Sequence, residues 1–473
     1  MRKNFFLPNA LCALMLAGTM MVSCSDDDKS EEKVTDEIIE QIPAIDGDKQ
    51  LTVEEQKNYL DQVGKAFLTE FQSNNFDNLI DLINYAYETY GDNYDWDNVE
   101  SWAKDAFDAL VRNESGNQLV ADFILPAYGE EKIHCIEYEN VTEIIYTASA
   151  FTGHFVAENG KWTSSPADNL QFSFSDQNGK PCVLTVATSG KTVDAYFGKS
   201  TDIDRKYTEI KDNEKYNYEV VRNSEITKNI VSVPEHITIT LSQDGKELLK
   251  SEINTDLSIA SATEYDFSKD QFATTTTTQI ENYTFEVSKA SFSNKDKKAE
   301  AYFKLKKGDV KLLEYSIKAN VEVEKNTNIE DEDDEEYNLK AFTSEYTIDI
   351  LGKVQIKGTS TDAKKLDDIL EEAKEYEVNN SEIYKEKIAA ANEYIDLGLY
   401  FDGGKTKQLS LMLEPFEHEV WKGDSFWKYE YTFLFADGSK NAVEDYLVRA
   451  NFTNIFDLYD DMEDDYNNKI KID

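Results

Sequence analysis

Residues 170–186 read Leu170-Gln171-Phe172-Ser173-Phe174-Ser175-Asp176-Gln177-Asn178-Gly179-Lys180-Pro181-Cys182-Val183-Leu184-Thr185-Val186, and their alternation decides how this chain folds. Apolar residues fall on even numbers before the polar tip and again after it. A period of two marks strands with one apolar and one polar face, and the tip between them marks a hairpin. An Asn-Gly pair usually forms a two-residue loop, but then facing residues would have an odd sum. Even positions on both arms require an even sum. A three-residue loop centred on Asn178 satisfies this, pairing Phe174 with Cys182, Phe172 with Leu184 and Leu170 with Val186. It places Asp176 opposite Lys180 and puts Gly179 in the left-handed position that a Cβ disfavours.

Similar tips occur at Glu158-Asn159-Gly160-Lys161 and Gln243-Asp244-Gly245-Lys246. The pattern around the first allows the two-residue loop. Around the second, a centre on Asp244 sets Ile239 across from Leu249. Period-two runs continue from about Lys132 to Glu324, including Tyr283–Phe292, Ala299–Lys306 and Lys311–Glu324, and another strand fits Phe342–Leu351.

Helical patterns flank this region. Thr52 and Glu55 form a capping box ahead of Leu60, Val63, Phe67, Leu68 and Phe71 at helical spacing. Further helices fit Phe76–Tyr90 and Asp95–Arg112. Beyond the strands, helices fit Asp362–Tyr376 and Ser381–Leu397, strands return at Gln408–Leu413 and Lys428–Phe435, and an acidic helix begins at Thr453. The expected fold class is α+β: a large twisted antiparallel sheet built from hairpins, covered by N-terminal helices and a C-terminal helix pair.

Lys and Arg number 49 against 93 Asp and Glu in 473 residues, a net charge of −44. A field of that sign repels nucleic acid and anionic headgroups. Hydrophobic residues at 40% and aromatics at 12% are ample for a packed core, which argues against disorder throughout.

The chain begins with basic Arg2 and Lys3, an apolar run from Ala10 to Val22, then Ser23-Cys24 and the acidic stretch Asp26-Asp27-Asp28. The run is short for a membrane span and ends as a cleavable leader ends. It resembles the lipobox of bacterial lipoproteins, with Met21 where Leu is most common. The resemblance implies that Cys24 is acylated and heads the mature chain, and loss of Arg2 and Lys3 with the leader takes the charge from −44 to −46. The acidic residues after Cys24 look like the export tag of Bacteroidota-type surface lipoproteins, which implies an outer-membrane, cell-surface location. The expected organisation is then a signal peptide over 1–23, an acidic tether over 24–50, and a helical unit over 51–113. An antiparallel β region follows over 114–361 with an acidic loop at 330–336, then a helix pair over 362–397, and strands with a terminal acidic helix over 398–473.

Sites are harder to find. Gly190-Lys191-Thr192 and Gly404-Lys405-Thr406 lack the preceding glycine of a phosphate loop, the four histidines are scattered, and no Gly-x-Ser-x-Gly elbow occurs. The acidic runs at Glu330–Glu336 and Asp457–Asp465 could attract calcium but match no calcium loop. Cys135 and Cys182 sit among apolar strand residues, which suits buried free thiols better than a disulfide. Trp421, Phe426 and Trp427, around Gly423, are the best candidates for rings presented to a ligand, although aromatics at such density more often form core. No cofactor is expected, and metal binding is left open. Three functional readings remain: a non-enzymatic surface lipoprotein that captures a glycan or another envelope protein or helps assemble the envelope, a surface hydrolase of glycan or peptide, and a carrier of an apolar ligand. The first leads, because no catalytic signature is found.

Overall fold

The structure is a computed structural model that describes residues 42–91, 93–112, 139–147, 151–212, 215–264, 266–326, 337–378, 380–421 and 424–469. Cys24, Cys135 and the acidic run 330–336 lie outside the described residues. The helices are α1 (Val53–Thr69), α2 (Asp77–Ala86), α3 (Ser101–Arg112), α4 (Ala363–Lys374), α5 (Ser381–Ala391), α6 (Val443–Tyr446) and α7 (Thr453–Lys469). The strands are β1 (Glu139–Thr147), β2 (Gly153–Glu158), β3 (Lys161–Ser165), β4 (Leu170–Ser175), β5 (Pro181–Asp212), β6 (Lys215–Gln243), β7 (Lys246–Ser258), β8 (Gln271–Ile280) and β9 (Tyr283–Ser293). They continue with β10 (Lys298–Lys307), β11 (Val310–Lys325), β12 (Tyr337–Ile350), β13 (Val354–Ser360), β14 (Ile395–Phe401), β15 (Leu409–Trp421), β16 (Asp424–Phe435) and β17 (Lys440–Ala442). The class is α+β with a large, mostly antiparallel sheet and helices from both ends of the chain. The sheet is mixed where pure antiparallel pairing was expected, since β1 runs parallel to β6 and β2 parallel to β4.

The chain divides into two compact units. The unit formed mainly by residues 83–247 has strand order β3-β2-β4-β5-β6-β1. Phe172 faces Leu184, Phe174 faces Cys182 and Leu170 faces Val186, the register that the alternation demands. Gly179 has φ +77°, and the Asp176 carboxylate accepts hydrogen bonds from the Asn178 and Lys180 amides at 2.8 and 2.7 Å. The Asn159-Gly160 tip is a two-residue loop with Glu158 opposite Lys161. The Asp244-Gly245 tip is also two residues long, with φ +52° and +78°, a type I′ turn. The three-residue loop expected there, and with it the Ile239–Leu249 pairing, is therefore incorrect. An aromatic core lies against this sheet: Phe107 of α3 meets Phe172 and Trp162, and Phe155 stacks on Phe172.

The other unit contains α1 and nearly everything after residue 271. From β9 to β17 each strand pairs antiparallel with the next. Apolar side chains continue across strands in rows, Leu313-Ile350-Val354-Phe401 and Ile348-Ile356-Leu399-Leu409-Phe435. The opposite face carries charge, with Lys311 bonded to Asp349 and Glu314 at 3.1 and 2.9 Å. One face is thus built for a core and the other for water.

Two sets of helices cover the apolar face. Between β13 and β14 the chain forms α4 and α5, whose Ile369, Ala373, Tyr384 and Ile388 pack with Leu413 of β15. The second of these helices was expected to run to Leu397, but it ends at Ala391. The Asn392 side chain accepts from the Leu413 amide at 2.7 Å and donates to the Leu413 carbonyl at 2.9 Å, tying the helix end to the sheet so that Ile395 can begin β14. The second set is α1 and α7, which lie over Val354, Leu399 and Leu409. The Asp61 carboxylate of α1 accepts from the Ile455 amide at 3.1 Å, satisfying a donor in the first turn of α7, and the Tyr466 hydroxyl donates to the Phe71 carbonyl at 2.8 Å. Residues 42–50, assigned from sequence to the tether, are bonded to the loop after β14. The Ile45 amide donates to Asp402 at 3.1 Å and the Lys405 amide to Asp48 at 2.7 Å.

Candidate ligand-binding site

Between the apolar sheet face and the helices α1, α6 and α7 lies a cavity of about 180 Å³. Its floor is the sheet: Val354, Ile356, Leu397, Leu399, Leu409 and Phe433, all buried. Strand alternation puts these side chains on one face, and the cross-strand rows bring four strands to the same patch. Val63, Phe67 and Leu68 of α1 form one wall. Leu447, Ile455, Phe456 and Tyr459 form the outer rim and are only half-buried, which marks the side nearest solvent.

Two features set the spacing of the helices over the cavity. Gly64 lets α7 approach α1 closely, since a Cβ on it would lie 2.3 Å from Ile455 Cδ1. The helices are also held at their ends by polar contacts: Lys57 donates to Asn451 Oδ1 at 2.8 Å, besides the Asp61 and Tyr466 bonds. Spacing is therefore set by hydrogen bonds as well as by side chains meeting in the middle.

The lining is nearly all hydrocarbon. Among the described residues no Asp, Glu, Lys, Arg, His or Cys contributes to it, and the polar side chains in it are Tyr446 and Tyr459. Tyr446 is 1% exposed and makes edge or tilted contacts with Phe433, Phe435 and Phe452 at 5.2, 5.6 and 5.5 Å. Burial raises its phenol well above the ordinary tyrosine range, and the Glu54 charge adds to the shift. It is a neutral hydrogen-bond donor at any physiological pH. The chemistry of such a wall suits apolar matter.

The aromatic candidates from the sequence are placed elsewhere. Trp421 ends its strand opposite Asp424. Phe426 and Trp427 are neighbours in β16, so they project to opposite faces. Phe426 lies 5.2 Å from the His418 ring. Trp427 packs on the Ile369–Leu413 cluster, with Lys385 Nζ 3.9 Å from its ring centroid. Phe426 and Trp427 therefore form no shared platform. The Tyr85–Tyr94 group is built into a core: Tyr90 is buried, its hydroxyl donates to the Ser175 carbonyl at 2.7 Å, and both Trp96 and Trp162 donate to the Tyr90 carbonyl. Cys182 is a free buried thiol, pushed up to about 12 chiefly by burial. Among the described residues no three His, Cys, Asp or Glu side chains converge as metal ligands, and no helix is long and apolar enough to cross a membrane. Arg449 pairs with Asp457 and Asp460 of the acidic terminal run.

Comparison with known proteins finds no matching family model, no matching curated protein and no matching solved structure.

Proposed function

We propose that this chain is a lipid-anchored surface protein that binds a small apolar ligand. The observation that carries the reading is the cavity of about 180 Å³ with an almost wholly hydrocarbon lining. Protein interiors are packed with few voids larger than a water molecule, and a cavity of roughly 150 Å³ lined by Leu, Ile and Phe stays dry and admits benzene. The space here suits one substituted six-membered ring or a short branched chain. Burying about 150–200 Å² of such a ring at about 25 cal/mol/Å² is worth about 4–5 kcal/mol, so dissociation constants of about 0.2–1 mM are expected for a plain hydrocarbon.

Of the three readings open from the sequence, the cavity favours the carrier of an apolar ligand. Hydrolysis of a glycan would favour a pair of carboxylates beside the bound group, and this lining has none. The anchor rests on the leader and Cys24, which resemble a lipobox, and the surface address rests on Asp26-Asp27-Asp28.

Ligand binding is tested by thermal unfolding of the purified chain with and without toluene. Binding to the folded state alone raises the midpoint, and the stabilisation grows as the logarithm of one plus the ratio of toluene concentration to Kd, whereas an unchanged midpoint would withdraw the reading. The anchor is tested by Cys24→Ala, which should abolish metabolic fatty-acid labelling. Labelling that persisted in Cys24→Ala would refute acylation at this residue.

A further inference from the structure

Phe456 lines the cavity and is half-buried, on the side nearest solvent. The Arg449 guanidinium lies 5.6 Å from the centroid of its ring. Arg449 itself does not line the cavity and its side chain is 50% exposed, so it holds the ring from outside the lining. The guanidinium is held in turn, by Asp457 Oδ1 at 2.6 Å and by the Asp460 carboxylate. The backbone on either side of the ring is fixed. The Phe456 amide donates to the Phe452 carbonyl at 3.1 Å. The Asn451 side chain accepts from Lys57 at 2.8 Å and donates to the Tyr446 carbonyl at 2.7 Å, and both Phe452 and Tyr446 are buried. Rotation of the Phe456 side chain between its staggered positions is therefore the opening that breaks the fewest contacts.

We propose that the Phe456 ring is the gate of the cavity and that Arg449, held by Asp457 and Asp460, is its latch. This deepens the proposed function and rests on it. A guanidinium is attracted by the face of an aromatic ring, so Arg449 favours the rotamer in which Phe456 closes the rim, and the two carboxylates keep the guanidinium in place. Each of these contacts is exposed and individually weak. The latch therefore slows passage without sealing the cavity. Because Arg449 stands outside the lining, it acts on how often the gate opens and leaves the walls that hold the ligand unchanged. Entry and exit then change by the same factor, and Kd, their ratio, is conserved.

The experiment follows exchange of fluorobenzene with the purified full chain by fluorine NMR line shapes and relaxation dispersion, which give both rates and Kd. Three proteins are compared: the wild type, Arg449→Gln, and the double variant Asp457→Asn with Asp460→Asn, which keeps the guanidinium and removes what holds it. Arg449→Gln should speed entry and exit alike by about three- to tenfold, the value of an exposed cation–π contact, with Kd unchanged. The double variant should speed both by a smaller factor, and gives the reading on its own if Arg449→Gln does not fold. The gap between the wild type and the double variant should narrow at about 1 M NaCl, where charges are screened beyond about 3 Å. Fluorobenzene exchange no faster in the variants would overturn the gate and leave cavity binding standing. A changed Kd with an unchanged entry rate would also overturn it, because Arg449 would then shape the bound state. If fluorobenzene did not bind the wild type, both the gate and the functional reading beneath it would fall.

Discussion

Gly64 of α1 and Ile455 of α7 meet so closely that a Cβ on the glycine would sit 2.3 Å from Ile455 Cδ1 and 2.7 Å from Cγ1. Both residues line the cavity, so this contact joins helix packing to the volume of the site.

The Gly64→Ala substitution therefore sets two effects against each other. Alanine gains about 1 kcal/mol in helix propensity, while overpacking costs about 1–3 kcal/mol where nothing can move. Here the clashing atoms are the end of a flexible side chain beside open space, so Ile455 should swing into the cavity. Urea unfolding should then show a stability change within about 1 kcal/mol, while toluene affinity falls severalfold. A loss well above 2 kcal/mol would mean that Ile455 has no room to move.

Trp427 is expected to serve stability. It packs on the Leu413 cluster under α4 and α5, its amide donates to the Glu377 carbonyl at 2.8 Å, and Lys385 sits over its ring. Replacing it with alanine should cost about 2–4 kcal/mol, toward the lower part of the range for large core aromatics because it is half-buried. If Trp427→Ala left the unfolding midpoint unchanged, the side chain would be free for a ligand after all.

Glu300 predicts an acid-sensitive contribution. Hydrogen bonds from Lys289 at 2.5 Å and Lys298 at 2.6 Å hold its carboxyl down at about 2, against the opposing effect of burial. A carboxyl with a depressed folded-state pKa contributes stability that is complete above its unfolded value. That contribution is lost as pH falls from about 4.5 toward 2. Unfolding midpoints of Glu300→Gln should be lower than wild type at pH 6 and converge with it near pH 2. A constant gap across that window would assign the effect to packing.

Asp176 stabilises its hairpin by accepting from two backbone amides and from Gln243 Nε2 at 2.7 Å, while 4% exposed. Asp176→Ala should lower stability by about 2–3 kcal/mol, whereas Asp176→Asn, which keeps an acceptor oxygen, should lose less. Equal losses would show that the charge, not the turn geometry, matters.

The legibility of the fold follows from how local each signal is. The register through Asn178 could be read because the polar tip and both apolar arms lie within 17 consecutive residues. The Thr52–Glu55 capping box spans four residues and forms as read. The end of α5 could not be read, because Asn392 is held by Leu413, 21 positions away. At the Asp244 tip the Asp-Gly preference for a type I′ turn overrides the alternation of the flanking strands. The cavity was hidden for a stronger reason. Its lining joins Leu60–Leu68, Leu313–Ile356, Leu397–Phe433 and Tyr446–Tyr459, and in sequence each of these is ordinary core. A void belongs to the packing of all of them together and leaves no mark on any one.

An apolar cavity lies between the β13–β16 face and the helices α1 and α7, and the proposed function requires that a small aromatic molecule can enter it. Crystals of the full chain soaked with iodobenzene test it directly through the anomalous signal of iodine. An iodine peak bounded by Val63, Leu399 and Phe433 is expected, absent from crystals of Leu399→Phe, whose larger side chain occupies the space. A wild-type crystal in which those side chains close the gap, or in which iodine binds only elsewhere, would contradict it.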